Sequence, residues 1–356
     1  MRYYFNYGEL MNLCIDILKI LNVPYKKAEA LAGNLLRADS RGIKSHGLNF
    51  FSMYIEMIEN GLIKPMANYE VIKETESSAL IDGHMDIGQF VCQEAVKIAI
   101  NKAKKNLFSI IGIKNMGHAG HIGDYTRMIS DNKLIGIMYL NCDIDVAPFG
   151  GREKVIGTNP MSYAIPAGEE DPIIIDFATS ATAGGYILER LRRGVKLEKN
   201  WAIDKEGNMT VDPLELFDDK TFPIEWGDNF TGAILPAAGH KGYGLGLLVD
   251  ILSGALTGGK CNGDVIDGEN FACIQAINPE IFVSFEHYSK VVDKLIRKIR
   301  LSAPMPGVEK VLIPGDPERI KEKESKEKGI EIEDNLWQEL CKICDKYEVN
   351  INSLLK

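Results

Sequence analysis

The 356-residue chain predicts an α/β fold, and three observations carry that expectation. Apolar runs of strand length, residues 107–113 and 134–140, are separated by a stretch that reads as helix and preceded by an amphipathic one. Strand, helix, strand in that rhythm marks a layered α/β centre. Both chain ends read as helices instead, through Leu10, Leu13, Cys14, Ile17, Leu18 and Leu21 at one end and the span Leu336 to Tyr347 at the other. A chain of this length can bury a large core and form more than one structural unit.

The first helix stops at Asn22 and Pro24. Ala28, Leu31, Ala32, Leu35 and Leu36 repeat its pattern in a second, which the polar stretch Asp39 to Gly47 interrupts before a third from about Phe50 to Ile58. Tyr69 to Lys73 and Ser78 to Asp82 read as short strands, and Phe90 to Ala103 as a helix. Beyond the strand at 107–113, Gly117, Gly120 and Gly123 recur every three residues, which predicts a helix with one smooth face. Cys142 to Gly151 and Gly157 to Pro160 read as loops. Pro172 to Asp176 is expected as a short buried strand ending in a carboxylate, with Thr179 to Ala183 opening a helix. Trp201 to Asn229, punctuated by Pro213 and Pro223, is turn-rich, and a long apolar helix is expected over Leu245 to Leu256. Phe271 to Ile277 and Val308 to Ile313 read as strands, with a helix carrying Val291, Leu295 and Ile299 between them. The dense Glu and Lys run from Glu318 to Glu333 reads as an exposed linker or surface helix.

A formal charge of −9 argues against a general nucleic-acid surface. No run approaches the ~20 apolar residues of a membrane span, and no leader pattern is seen, so a cytoplasmic enzyme is expected. The seven cysteines are scattered and read as reduced thiols, with Cys341 and Cys344 as two small residues on one helix. Gly254 to Cys261 fails as a phosphate-binding loop, because it follows a helix and has Cys261 where Ser or Thr belongs. A standard Rossmann glycine signature is missing too, so a bound dinucleotide would need another kind of site.

The chemistry concentrates in Ile113 to Tyr125, where His118, His121, Asp124 and three glycines follow directly on a strand. Side chains just past a strand are presented by a rigid backbone, and glycines let a ligand come close. On one helix, His118, His121 and Asp124 would stand at i, i+3 and i+6 and could converge on a metal, which supports a metal-dependent hydrolase as an alternative. His46 lies in a polar joint between Ser45 and Gly47. Asp176, at the end of an isoleucine-rich strand, needs a donor or a cation. Lys241 is flanked by His240 and Gly242, and Arg190, Arg192, Arg193 and Lys196 read as a solvated basic helix end.

Several stretches together resemble one family, in its order along the chain: Ala38-Asp-Ser-Arg-Gly42 with Ser45-His-Gly47, Met116-Gly-His-Ala-Gly120, Ala147-Pro-Phe-Gly-Gly151, Gly157-Thr-Asn-Pro160, Asp176-Phe-Ala-Thr-Ser180, Trp201-Ala-Ile-Asp204, Lys241-Gly-Tyr-Gly-Leu245 and Leu312-Ile-Pro-Gly315. The chain resembles the malate/L-lactate dehydrogenase family, which also holds ureidoglycolate, sulfolactate and diketogulonate dehydrogenases. Met116-Gly-His118 and Leu235 to Gly239 look most like the ureidoglycolate branch. The resemblance implies a non-Rossmann α/β fold: a mixed-sheet cofactor and catalytic domain over 76–285, and a helical domain from 1–75 joined by the returning segment 286–356. It implies a homodimer, NAD or NADP as cofactor, and a small 2-hydroxy or 2-oxo acid as substrate. Carried over residue by residue, His46 and His118 are the proton-relay candidates, and Cys142 and Asp143 match substrate contacts. Ser180, Ala181, Thr182, Lys241, Gly242, Pro314 and Gly315 match cofactor contacts, with no metal. Asp176 is expected to orient one of the histidines. Phe50 stands where many members carry an arginine that would clamp the substrate carboxylate, which leaves Arg41, Lys44, Lys241 or a residue of a dimer partner to replace it. A non-catalytic homologue that has kept the cofactor site is the remaining alternative.

Overall fold

The computed structural model describes residues 2–221, 229–261 and 268–351, so Pro223 lies outside the described residues. Strand β1 (Arg2–Phe5) leads into helices α1 (Tyr7–Ile20), α2 (Tyr25–Ser40) and α3 (Phe51–Glu59). Asn6 caps α1 by accepting the Gly8 N–H at 2.8 Å. Between α2 and α3 the polar joint folds into two short 3₁₀ turns, Lys44–His46 and Leu48–Phe50. Buried Asp39 holds this joint, accepting from the Leu48 N–H at 2.7 Å and from Lys44 Nζ at 3.1 Å. The central elements follow as β2 (Glu70–Glu74), β3 (Ser78–Asp82), α4 (Gly88–Asn106), β4 (Phe108–Gly117), α5 (Gly123–Ser130), β5 (Ile135–Asn141), β6 (Ile144–Val146), β7 (Ile156–Gly157), β8 (Met161–Ile165) and β9 (Ile173–Phe177). Then come α6 (Gly184–Arg192), β10 (Ala202–Ile203), β11 (Met209–Thr210), β12 (Ala233–Ile234), α7 (His240–Ser253), β13 (Glu269–Ile277), α8 (Phe285–Arg300), α9 (Asp316–Lys328), β14 (Ile330–Glu333) and α10 (Asp334–Lys346).

A seven-stranded sheet has the order β2-β3-β4-β13-β5-β8-β9. It is mixed: β3 and β4 run parallel and the other pairings are antiparallel. Helices α4 and α5 cover it through Val91, Ala95, Ala99, Tyr125 and Ile129, packed with Ile111, Ile113, Met138 and Ile274. A smaller sheet, β11-β10-β12-β6-β7, lies over its own core of Val146, Ile187, Phe217 and Phe230. The third core belongs to both chain ends, with Leu10, Leu31, Leu35, Phe51 and Tyr54 packed with Ile330, Ile332, Trp337 and Leu340. Strands β1 and β14 pair antiparallel at its rim. Among the described residues no helix is long and apolar enough to cross a membrane.

Several expectations need correction. The glycine-spaced segment is not a helix from Gly117: β4 runs on to Gly117, and α5 begins only at Gly123. Asn115 and Gly120 take left-handed conformations (φ 52° and 70°), and Asn34 both donates to the His121 carbonyl at 3.1 Å and accepts its N–H at 3.0 Å. Those bonds replace helical ones. Strand β9 is a half-buried sheet edge rather than a buried strand. Thr179 to Ala183 does not open a helix either, because Ser180 forms a β-bridge with Pro236 and α6 begins at Gly184. Val308 to Ile313 joins no ladder, whereas the next residue, Pro314, accepts the Ile174 N–H at 3.0 Å. Helix α7 starts at His240, five residues before Leu245, and so takes Lys241 and Gly242 into its first turn. The run after Gly315 is helix only to Lys328 and then returns as β14.

Candidate active site

His118 follows the last residue of β4 and is held from three sides. Its neighbour Ala119 donates its N–H to Asn270 Oδ1 at 2.9 Å, while Asn270 Nδ2 donates to Asn141 O at 3.0 Å. One buried amide at the start of β13 therefore ties together the ends of β4 and β5. Gly88, opening α4, lies so close that a Cβ there would stand 2.0 Å from Gly117 O. On the ring itself, Nδ1 meets Tyr54 Oη at 2.5 Å, and Gln89 Nε2 donates to the same phenol oxygen at 2.7 Å.

His46 arrives from the first 3₁₀ turn, with Nδ1 2.9 Å from Ser45 Oγ. Its ring lies 6.2 Å from that of His118, centroid to centroid, and within 6° of parallel. Phe50 stacks on both, at 5.9 Å from His46 and 6.2 Å from His118. Burial pushes the His118 imidazole down to about 4. It pushes His46 down to about 3, helped by His118 and His121 and opposed by Asp176. Both rings are thus neutral at ordinary pH.

Asp176 does not bond to either of these histidines directly. Its Oδ2 accepts from the Gly123 N–H at 3.0 Å and lies 2.9 Å from Nε2 of buried His121. Asp124 turns elsewhere and forms ion pairs with Arg37 at 2.7 Å and Arg41 at 3.3 Å. The expected His118, His121 and Asp124 trio is therefore split among three sets of partners, and no metal-binding cluster occurs among the described residues. Two of the three cations considered for the substrate carboxylate, Arg41 and Lys44, are also engaged. Buried Arg41 pairs with Asp124 and Glu322, and Lys44 pairs with Asp39 and donates to Glu331 O at 2.9 Å. Cys142 follows β5, with its N–H donating to Asn159 Oδ1 at 3.2 Å and its thiol pushed up to about 12 by burial. Asp143 lies beside it, its carbonyl packed on Gly157. The basic cluster on α6 makes surface pairs, Arg190 with Glu198 and Arg193 with Glu189.

The segments expected to hold a cofactor gather around the end of β9. Ala181 donates to Leu235 O at 2.7 Å, Ala237 to Thr179 O at 3.0 Å, and Ser180 Oγ to Thr182 O at 2.7 Å. Gly242 sits where a Cβ would be 2.4 Å from both Ala237 O and Thr179 O, so only glycine lets α7 begin against these loops. Lys241 beside it is exposed. Pro314 and Gly315 run along the free edge of β9, and with Ile174 to Phe177 they line a cavity of about 390 Å³ that includes Asp176.

Tyr54, Gln89, Asn34 and Asn270 escaped the sequence reading. Tyr54 counts as one more apolar position on α3, and an isolated buried amide has no local signature; only its contacts reveal it.

The description malate/L-lactate dehydrogenase matches this chain over residues 5–341. The L-sulfolactate dehydrogenase of Methanocaldococcus jannaschii is 36% identical over 352 residues, covering 97% of each chain. A solved structure of sulfolactate dehydrogenase from the same organism superposes with a TM-score of 0.88 at 34% identity, covering 99% of this chain and 100% of that one. The NAD(+) ureidoglycolate dehydrogenase of Escherichia coli K12 is 32% identical over 321 residues, 88% of each chain. Overall identity is thus higher to the sulfolactate enzyme, and the likeness to the ureidoglycolate branch rests on the Met116 and Leu235 motifs. Taken with the mixed sheet and the near-parallel histidine rings beside the end of β4, these matches mean that the chain belongs to the malate/L-lactate dehydrogenase family, whose named relatives include sulfolactate, malate, ureidoglycolate and lactate dehydrogenases.

Proposed function

We propose that the chain interconverts a small 2-hydroxy acid and its 2-oxo acid with NAD or NADP. The observation that carries this reading is the pair of neutral, parallel imidazoles, His46 and His118, beside the backbone cradle of Thr179 to Thr182 and Ala237 to Gly242. Alcohol oxidation at carbon needs a group that takes the hydroxyl proton as hydride leaves, and a neutral imidazole can do so near neutral pH. The nicotinamide, when bound, supplies the hydride acceptor or donor. Ser180, Ala181, Thr182, Lys241, Gly242, Pro314 and Gly315 would hold it: an exposed cation at Lys241 and an open cavity beside Pro314 and Gly315 suit an extended, charged dinucleotide.

Asp176 acts as a positioning residue, fixing His121 and the start of α5 beside His46. Cys142 and Asp143 follow β5, two strands over from the end of β4 that carries His118, and would meet the substrate's tail. Phe50 favours an acid with room for an apolar neighbour, and the sulfolactate, malate, ureidoglycolate and lactate relatives define the panel. A homodimer is proposed on family membership.

The test follows reduced-nicotinamide absorbance with EDTA-treated protein, NAD or NADP, and (S)-sulfolactate, malate, lactate, ureidoglycolate and related 2-hydroxy acids. Turnover of one panel member without metal is expected. On that substrate, Asp176→Asn should lower kcat in a folded protein, and an unchanged kcat removes Asp176 from the machinery. Cofactor binding with silence across the panel favours a non-catalytic homologue.

A further inference from the structure

We propose that the cavity along the free edge of β9 takes the adenosine end of the dinucleotide, and that Glu318 there selects NAD over NADP. This deepens the dehydrogenase reading above and rests on it. Strand β9 is the last of its sheet, so one edge pairs with β8 and the other is open. In an antiparallel ladder the backbone groups of alternate residues point to the same side. Ile174 points its N–H outward, to Pro314 O at 3.0 Å, so Asp176, two residues on, turns its own N–H and C=O to the same open edge. Among the described residues no other backbone group takes that pair. A free donor and acceptor side by side match the acceptor and donor on an edge of adenine. Ile174, Ile175, Phe177, Ile313 and Pro314 give the cavity, of about 390 Å³, the apolar walls that a flat base needs.

The chain also gives the dinucleotide a direction. Beyond Phe177 it enters the Thr179 to Thr182 cradle beside exposed Lys241, which suits the diphosphate. Further on, Gly185 packs against the joint that carries His46, where a Cβ would stand 3.1 Å from Ser45 O and 3.3 Å from the Phe50 ring. With nicotinamide at the histidines and diphosphate at the cradle, the edge of β9 is left for adenosine.

Charge then decides which dinucleotide fits. The cavity is lined by two carboxylates, Asp176 and Glu318, and by no lysine, arginine or histidine. Asp176 commits its Oδ2 to the Gly123 N–H and to His121. Glu318, half-buried in the first turn of α9, enters no hydrogen bond or ion pair among the described residues. The cations at this end of α9 are engaged elsewhere. Arg319 pairs with Asp316 at 2.6 Å and donates to Pro172 O at 2.8 Å, while Arg300 pairs with Asp316 at 2.9 Å and Glu170 at 2.6 Å. A carboxylate accepts from the vicinal hydroxyls of the adenosine ribose in NAD. The 2′-phosphate of NADP would replace one of those donors with an anion beside Glu318, and no cation lines the cavity to meet it.

The test is binding without substrate, by calorimetry of NADH and NADPH with the full-length protein. Wild type should bind NADH roughly 30-fold or more tightly than NADPH, because like charges brought together without a counter-ion are strongly disfavoured. Glu318→Gln should bring the two affinities close together, mainly by strengthening NADPH, and Glu318→Arg should reverse their order; circular dichroism checks that each variant is folded. ADP, which has the adenosine ribose and no nicotinamide, locates the contact: Glu318→Gln should weaken it by the same factor as NADH. Equal affinity of the wild type for NADH and NADPH, or a preference for NADH that survives Glu318→Arg, overturns the selection and leaves the dehydrogenase reading standing. ADP unchanged by Glu318→Gln while NADH weakens overturns the adenosine placement. Binding of neither dinucleotide overturns the proposal and the dehydrogenase reading together. A preference for NADH in a protein silent on the whole panel of acids overturns the dehydrogenase reading alone.

Discussion

At the scale of single residues, the site is built by removing water from two imidazoles. Phe50 lies against both rings, and the apolar face it presents is part of the environment that keeps them neutral. Neutral burial has a stability signature whose sign is fixed. A free histidine takes up a proton near its ordinary value of 6.5, whereas His46 and His118 resist it down to about 3 and about 4. Below 6.5 the unfolded chain therefore binds protons that the folded one refuses, and folding stability falls as pH falls. Between pH 6.5 and 5 each histidine withholds up to about 2 kcal/mol, at ~1.4 kcal/mol per pH unit. Urea denaturation of the wild type at pH 7 and pH 5, compared with a His46→Asn, His118→Asn double variant, measures this. The wild type should lose more stability over that interval; equal losses would mean that the rings are charged, or already solvated, in the folded protein.

At the scale of elements, helix α4 positions the chemistry from behind. Its first residue, Gly88, presses on the carbonyls of Gly117 and His118, which a Cβ would approach to 2.0 and 2.6 Å. Those are backbone atoms, pinned by β4 on one side and Asn270 on the other, so they cannot step aside cheaply. Gly88→Ala should cost roughly 1–3 kcal/mol of stability as overpacking and displace His118 enough to lower kcat. Denaturation and steady-state kinetics on the same preparation check it, and a variant with wild-type values would show that this end of the sheet yields. The same region shows what a sequence discloses. Helices α1, α2, α3, α4, α8 and α10 and strands β3, β4, β5 and β13 were legible because each buries one stripe or one run, and a stripe is a local property. The loop from His118 to Ile122 was not. Its glycine spacing imitates a helical face, but the backbone bonds that would make a helix go to Asn34, 87 residues away. Strands β1 and β14 were illegible for the same reason, each being four residues whose partner lies at the other chain end. His46, His118 and Asp176 could be singled out as unusual residues in unusual places. The pairing of Asp176 with His121, and the hydrogen bonds that link Gln89, Tyr54 and His118, exist only in three dimensions.

At the scale of the whole molecule, the site lies where the core of the chain ends meets the central sheet, so its geometry depends on residues far from either histidine. His46 belongs to the first of these bodies and His118 to the second. The turn carrying His46 is tied to the C-terminal strand by Lys44 Nζ, which donates to Glu331 O, 287 positions along the chain. That strand is held in turn by its ladder with β1 and by Trp337, whose ring lies 4.9 Å from Phe5 and 5.2 Å from Tyr3. Helix α9 adds Glu322, paired with Arg127 at 3.0 Å. Trp337 is buried, and no smaller side chain can bridge both aromatic neighbours. Trp337→Ala should therefore destabilise the protein by about 3–5 kcal/mol through the cavity it leaves. If the chain ends set the position of His46, the loss reaches further than stability. Under conditions where the variant remains folded, the His46 ring resonance should shift and kcat should fall, while His118, anchored by Tyr54, Gln89 and Asn270, keeps its resonance. A folded Trp337→Ala protein with unchanged His46 resonance and unchanged kcat would mean that the joint between α2 and α3 is rigid on its own, and that the returning C-terminal segment serves stability alone.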